Sequence, residues 1–215
     1  MKNSDFKTMT ITAHTGCVGT EENSLQSIEK GVECGAQIIE FDVQYYNGIP
    51  VLSHDAPKGA EVTLEEAFLK VKEYENLKVN VDIKSVEYIH TVGEVAEKTD
   101  VKDRIFFTGV NDDFVSAVKK NCPDIEYYLN VNVLPKRKQT DEYLNSLVKK
   151  VKDSGAIGIN FNKKSATKRL VEVFHKNGLL VSIWTVNGYF KFRKIKSFGP
   201  DNITTRRPDK FKVAR

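Results

Sequence analysis

The stretch Gln37-Ile38-Ile39-Glu40-Phe41-Asp42-Val43 decides how this chain is read. Successive side chains of a strand point to opposite faces, so Ile39, Phe41 and Val43 form an apolar face and Glu40 and Asp42 share the other. A strand that packs one face on helices and crowds carboxylates near its C-terminal end belongs at the mouth of a barrel of parallel strands, where catalytic groups collect.

The sequence on either side repeats the pattern. Short apolar runs at 10–14, 77–84, 104–108, 126–131, 156–161, 179–185 and 201–204 join 37–43 as strand candidates. Between them lie segments of helical period at 24–33, 64–74, 86–98, 113–121, 141–153, 166–176 and 189–197. Alternating strands and helices mark βα units, and eight strands favour closure over an open sheet. The expected fold is therefore α/β, a (β/α)8 TIM barrel. The 215 residues, 40% of them hydrophobic, suit a single domain over 1–215, near the lower length limit for this architecture.

The same parity applies to the other strands. It turns Asn80, Asp82 and Lys84 inward on the third strand, His14 inward with Thr10 and Thr12 on the first, and Asn160 and Trp184 inward on later ones. Asn47-Gly48 reads as a tight turn into a short extra strand that delivers His54 and Asp55. Carboxylates crowded in a poorly solvated mouth cannot all stay ionised unless a cation joins them. Either Lys84 supplies that charge within an ion-pair network, or a divalent ion does; all-oxygen donors favour one Mg²⁺ or Ca²⁺. Two histidines at strand ends beside such a cluster suit general acid and base work. His90 and His175 fall in helix candidates and read as surface or packing residues.

Composition narrows the function classes. The formal charge is +4, from 33 Lys and Arg against 29 Asp and Glu, and short clusters at 136–138 and Arg206-Arg207 read as solvated surface. The dense basic stripe of a nucleic-acid binder is not seen. Cys17, Cys34 and Cys122 are odd in number and lack metal-site spacing, which suggests reduced thiols and a cytoplasmic location. No run approaches the roughly 18 apolar residues of a membrane span, so no stable membrane anchor is expected.

In order along the chain stand A-H-T-G (13–16), E-N-S (22–24), G-A-Q-I-I-E-F-D-V (35–43), N-G-I-P-V-L-S-H-D (47–55), V-D-I-K (81–84), W-T-V-N (184–187) and I-T-T-R-R-P (203–208). Together these motifs resemble the glycerophosphodiester phosphodiesterase family. The resemblance implies His14 and His54 as the acid/base pair and Glu40, Asp42 and Asp82 as metal ligands, with Lys84 on a phosphate oxygen. It also implies that Trp184 walls the substrate site, although a core-filling indole is the competing reading. Asp82 stands where most of the family has glutamate.

Three departures stand out. The family's first motif is H-R, whereas this chain has His14-Thr15; the usual insertion after H-D is reduced to 56–62; and Arg206 replaces the acidic residue after the last threonine. Its position makes Arg206 a candidate substitute for the missing phosphate-binding arginine. Asn23 is read either as a site support or as a helix N-cap. The expected activity is metal-dependent hydrolysis of a small-molecule glycerophosphodiester to an alcohol and sn-glycerol 3-phosphate. A lysophospholipase D or sphingomyelinase D-like activity and a barrel that only binds phosphate esters are the alternatives.

Overall fold

The structure, a computed structural model, describes residues 9–211. The expected domain of 1–215 therefore includes termini, 1–8 and 212–215, that lie outside the described residues. Nine strands and seven α-helices alternate among the described residues. They run β1 (Thr10–Ala13), α1 (Leu25–Glu33), β2 (Ile38–Tyr46), β3 (Ile49–Leu52), α2 (Leu64–Lys72), β4 (Lys78–Ile83), α3 (His90–Lys98), β5 (Ile105–Thr108) and α4 (Asp112–Asn121). The second half continues with β6 (Tyr128–Asn130), α5 (Asp141–Ser154), β7 (Gly158–Asn162), α6 (Lys168–Lys176), β8 (Leu180–Trp184), α7 (Tyr189–Lys196) and β9 (Asn202–Thr205).

The sheet order β5-β4-β2-β1-β9-β8-β7-β6 contains only parallel pairings. A bridge between Phe107 and Tyr127, with Phe107 N–H donating to the Glu126 carbonyl and Asn130 N–H to the Val110 carbonyl, joins its two edges. The result is the expected (β/α)8 barrel. The extra strand β3 pairs antiparallel with the long end of β2 across the Asn47-Gly48 turn, as the tight-turn signal predicts. After β9 the described chain makes only one 3-10 turn, Pro208–Lys210.

Strand parity explains the layering. Ile39, Phe41, Val43, Val79, Val81 and Ile83 are each at most 1% exposed, with the Phe41 ring 6.1 Å from that of Phe68 on α2. Inside the barrel the opposite faces are unusually polar. Thr10 and Thr12 donate to Asn202 Oδ1 at 3.1 and 2.8 Å, and Asn202 Nδ2 donates to Ser182 Oγ at 3.0 Å. Such groups tolerate burial because each has a partner.

Five of the seven α-helices start on a side-chain cap, and two of these shift the expected boundaries. Ser24, not Asn23, caps α1 by accepting from Ser27 N–H. Thr167 caps α6 by accepting from Leu170 N–H, so that helix begins at Lys168, two residues later than its periodicity suggests. His90 opens α3, and the preceding 86–89 form turns. Among the described residues no helix is long and apolar enough to cross a membrane.

Candidate active site

Register carries the carboxylates together. β2 and β4 pair with Glu40 beside Asn80 and Asp42 beside Asp82, and β4 and β5 pair with Asp82 beside Thr108. Neighbouring strands lie roughly 4.8 Å apart, so inward residues at paired positions must touch or share a counter-charge. Carboxylate oxygens of Glu40, Asp42 and Asp82 all lie within 4.8 Å of one another. Glu40 and Asp42 are 6% and 2% exposed. Burial first, then Asp42 and Asp82, push the Glu40 carboxyl well above the usual range.

Hydrogen bonds hold each carboxylate in place. Thr15 N–H donates to Glu40 Oε2 at 2.9 Å. Asn23 grips Asp42 twice, its Nδ2 donating to Oδ2 and its Oδ1 accepting from the Asp42 N–H, both at 3.0 Å. Asn23 can do so because it turns at φ 56° just before α1, and it is thus a site support rather than a cap. Thr108 Oγ donates to Asp82 Oδ1 at 2.9 Å. Gly109, at φ 77°, follows directly; a β-carbon there would lie 2.7 Å from Asp82 Oδ1 and 2.3 Å from the Ile83 carbonyl, so only glycine fits.

Lys84 bridges Asp42 Oδ1, at 2.8 Å, and Asp82 Oδ2. Burial opposes its charge, but Asp82 and Asp42 outweigh it and raise the ammonium above the usual lysine range. One lysine facing three carboxylates leaves a surplus of negative charge in a largely buried cluster. The donors are all oxygens and already converge, so the set fits a hard divalent cation.

The two histidines flank this cluster. His14 follows β1, and its Nδ1 lies 2.9 Å from the Thr15 carbonyl and 3.5 Å from Glu40 Oε2. The shorter contact places the hydrogen on Nδ1 and leaves Nε2 as the acceptor of the neutral ring. Arg206 Nε sits 3.4 Å from the same Nδ1; with the hydrogen there, that approach is a contact between two donors and not a hydrogen bond. Burial, set against the Thr15 hydrogen bond, holds the His14 pKa below its usual value. His54, delivered by β3, is exposed, and its Nδ1 faces Asp55 Oδ1 at 2.9 Å. The short connection that follows is organised by the Glu61 carboxylate, which accepts from the N–H groups of Lys58, Gly59 and Ala60 at 2.6, 2.7 and 3.1 Å.

All eight residues singled out from the sequence line one cavity of about 590 Å³: His14, Glu40, Asp42, His54, Asp82, Lys84, Trp184 and Arg206. Arg206 is anchored by Glu22, whose Oε1 is 2.5 Å from Nη2. Thr15, in contrast, is 1% exposed and accepts from Asn23 N–H, so it braces the loop and does not reach the cavity. His90 and His175 lie on the surface, and His175 pairs with Asp201.

The opposite wall was less legible. Asn130 and Asn160 pair across β6 and β7, with Asn160 Nδ2 donating to Asn130 Oδ1 at 2.9 Å. Asn160 Oδ1 and the Nε1 of half-buried Trp184 are both buried and find no hydrogen-bond partner among the described residues. Both residues line the cavity. Parity pointed Asn160 inward, but a neutral amide gives no sequence signal that distinguishes a ligand contact from a packed interior. Glu22 lay within a quoted motif without a role, since only the fold brings it to Arg206.

The profile of the Glycerophosphoryl diester phosphodiesterase family matches residues 7–79 and 58–210. A glycerophosphodiester phosphodiesterase of Bacillus altitudinis is 25% identical over 243 residues, covering 93% of this chain and 95% of the relative. Among solved structures, an Oleispira antarctica phosphodiesterase in complex with the product sn-glycerol-3-phosphate superimposes with a TM-score of 0.78 at 19% identity, covering 94% of this chain and 95% of that one. A glycerophosphodiester phosphodiesterase of Parabacteroides distasonis gives 0.75 at 19% identity, with 94% of each chain covered. The chain belongs to the glycerophosphoryl diester phosphodiesterase family, and so to the phosphoric diester hydrolases.

Proposed function

We propose that the barrel mouth hydrolyses a glycerophosphodiester to an alcohol and sn-glycerol 3-phosphate, with His14 and His54 moving the protons. The observation that carries this reading is the convergence of three carboxylates, two histidines and two cations on one cavity. The sn-glycerol-3-phosphate bound by the Oleispira relative supports the choice of product.

Glu40, Asp42 and Asp82 would hold one divalent cation, Mg²⁺ or Ca²⁺, which supplies Lewis-acid stabilisation of negative charge on the phosphoryl group. The chain's own residues do the rest. Lys84 and Arg206 bind phosphate oxygens, Lys84 as a point charge and Arg206 as a planar fork. Arg206 thereby takes over from the arginine that Thr15 replaces. The neighbouring guanidinium disfavours a second positive charge on His14, whose free Nε2 accepts the proton of the attacking oxygen. His54, with Asp55 steadying its ring, returns a proton to the departing alkoxide. Trp184 and Asn160 line the same cavity, where their side chains would border the hydroxyls of the substrate.

The compact connection after Asp55 leaves the mouth open, and this favours a second reading, a lysophospholipase D-like activity with the same chemistry. Product analysis with glycerophosphocholine and lysophosphatidylcholine separates the two. Release of sn-glycerol 3-phosphate from glycerophosphocholine is expected. Faster turnover of lysophosphatidylcholine, or a cyclic phosphate product, would move the assignment to the second reading.

A further inference from the structure

The loops that follow β6, β7 and β8 lie on the same side of the barrel as the active site, because each leaves the C-terminal end of its strand. Residues 131–140 and 163–167, and the stretch 185–194 that enters α7, contain lysine or arginine but no acidic residue. Elsewhere basic side chains are commonly neutralised by close ion pairs, such as Lys98 with Glu65 and Lys150 with Asp112. In this region the charges converge on one another. Burial first, then Lys191 and Lys194, hold the Lys136 ammonium below its usual range; burial, Lys191 and Lys164 do the same to Lys163. Lys163 also donates to the carbonyl of Thr185, the residue after Trp184, so the cluster borders the mouth itself.

In this basic region sits an aromatic pair. Phe190, in the first turn of α7, is 85% exposed, and its ring meets that of the half-exposed Tyr189 edge-on at 5.8 Å. Arg193 lies 5.9 Å from the Tyr189 centroid. An exposed phenylalanine beside lysines that lack nearby acids is unfavourable in water. At an anionic bilayer both parts are satisfied: the ring enters the headgroup boundary and the cations meet lipid phosphates. Phe190 projects from a helix start instead of lining a recess, which suits a deformable interface better than a rigid partner.

We propose that this face is a peripheral docking surface for an anionic phospholipid bilayer, placed so that the open mouth of the barrel lies beside the lipid. The proposal does not depend on which phosphodiester the site cleaves. It is tested by co-sedimentation of the full chain with vesicles of phosphatidylcholine alone or with about one-third phosphatidylglycerol, at low and high salt. Binding is expected only to the anionic vesicles and is expected to weaken with salt. Phe190→Ser should weaken it about tenfold, and Lys191→Glu with Lys194→Glu should abolish it, with melting temperatures unchanged in both variants. The proposal is overturned by absent binding to anionic vesicles or by equal binding to neutral ones. It is also overturned if Phe190→Ser binds normally while polyglutamate displaces the protein, since that outcome assigns the face to an acidic protein partner.

Discussion

The two walls of the barrel mouth are built on opposite principles. The wall from β1, β2 and β4 carries every charged group proposed for catalysis except His54 and Arg206, and its polar atoms are tied down: Glu40 by Thr15, Asp42 by Asn23, Asp82 by Thr108, and two carboxylates by Lys84. The wall from β6, β7 and β8 is neutral, and it leaves Asn160 Oδ1 and Trp184 Nε1 buried without partners among the described residues. Buried polar groups that go unpaired cost roughly 1–3 kcal/mol each, and these two belong to residues that line the cavity. In the proposed mechanism one wall holds the ion and the phosphoryl group, and the other borders the substrate's alcohol portion. On that reading, catalysis and selectivity are separated in space.

Substitutions on the two walls should therefore fail differently, and the largest effect belongs to the charged wall. Asp42→Ala removes a proposed ion ligand and strands Lys84 and Asn23. Turnover should fall by at least about a thousandfold, and calorimetric titration with Mg²⁺ or Ca²⁺ should show no binding. An Asp42→Ala protein that keeps wild-type ion affinity would break the assignment of this wall.

Next in size is the proton-transfer pair. His54→Ala should cost about 10² to 10⁴ in kcat with an alkyl leaving group, yet most of the loss should vanish with a 4-nitrophenyl phosphodiester, whose leaving group needs no proton. His14→Ala should be slow with both substrates. The reverse pattern would exchange the two roles.

Arg206 stands between the walls, and Arg206→Ala is expected to raise KM about tenfold with a smaller change in kcat, through loss of a phosphate contact. An unchanged KM for a phosphodiester would remove Arg206 from the site. The smallest effects belong to the neutral wall. Asn160→Ala and Trp184→Phe should each raise KM by a few-fold, about 1 kcal/mol. They should act on glycerophosphocholine but hardly on a bis-aryl phosphate that lacks the glycerol hydroxyls.

The fold was legible because its signal is periodic and repeated. In 37–43 the alternation of apolar and acidic residues specified both the helix-facing side and the inward side of β2, and the same phase on 77–84 brought Asp82 and Lys84 to the mouth. The charged wall followed because burying like charges is costly enough to demand an explanation. Thr15 and Asn23 were harder. A missing arginine gave no hint that Thr15 would be sealed at 1% exposure, bracing the loop that aims Asn23 at Asp42. The pairing of Glu22 with Arg206 joins residues 184 positions apart, beyond any local pattern. The lysines of 136–138 read as ordinary solvated charge, and only the side-by-side order of β6, β7 and β8 brings Lys136 near Lys191 and Lys194.

The carboxylates of Glu40, Asp42 and Asp82 are proposed to hold the cation on which glycerophosphodiester hydrolysis depends. Release of sn-glycerol 3-phosphate from glycerophosphocholine, followed by phosphorus NMR with EDTA and then with Mg²⁺ or Ca²⁺ in excess, tests it most directly. Hydrolysis that stops in chelator and returns with either ion is the predicted result. Undiminished hydrolysis in chelator, or none at saturating Mg²⁺ and Ca²⁺, would contradict it.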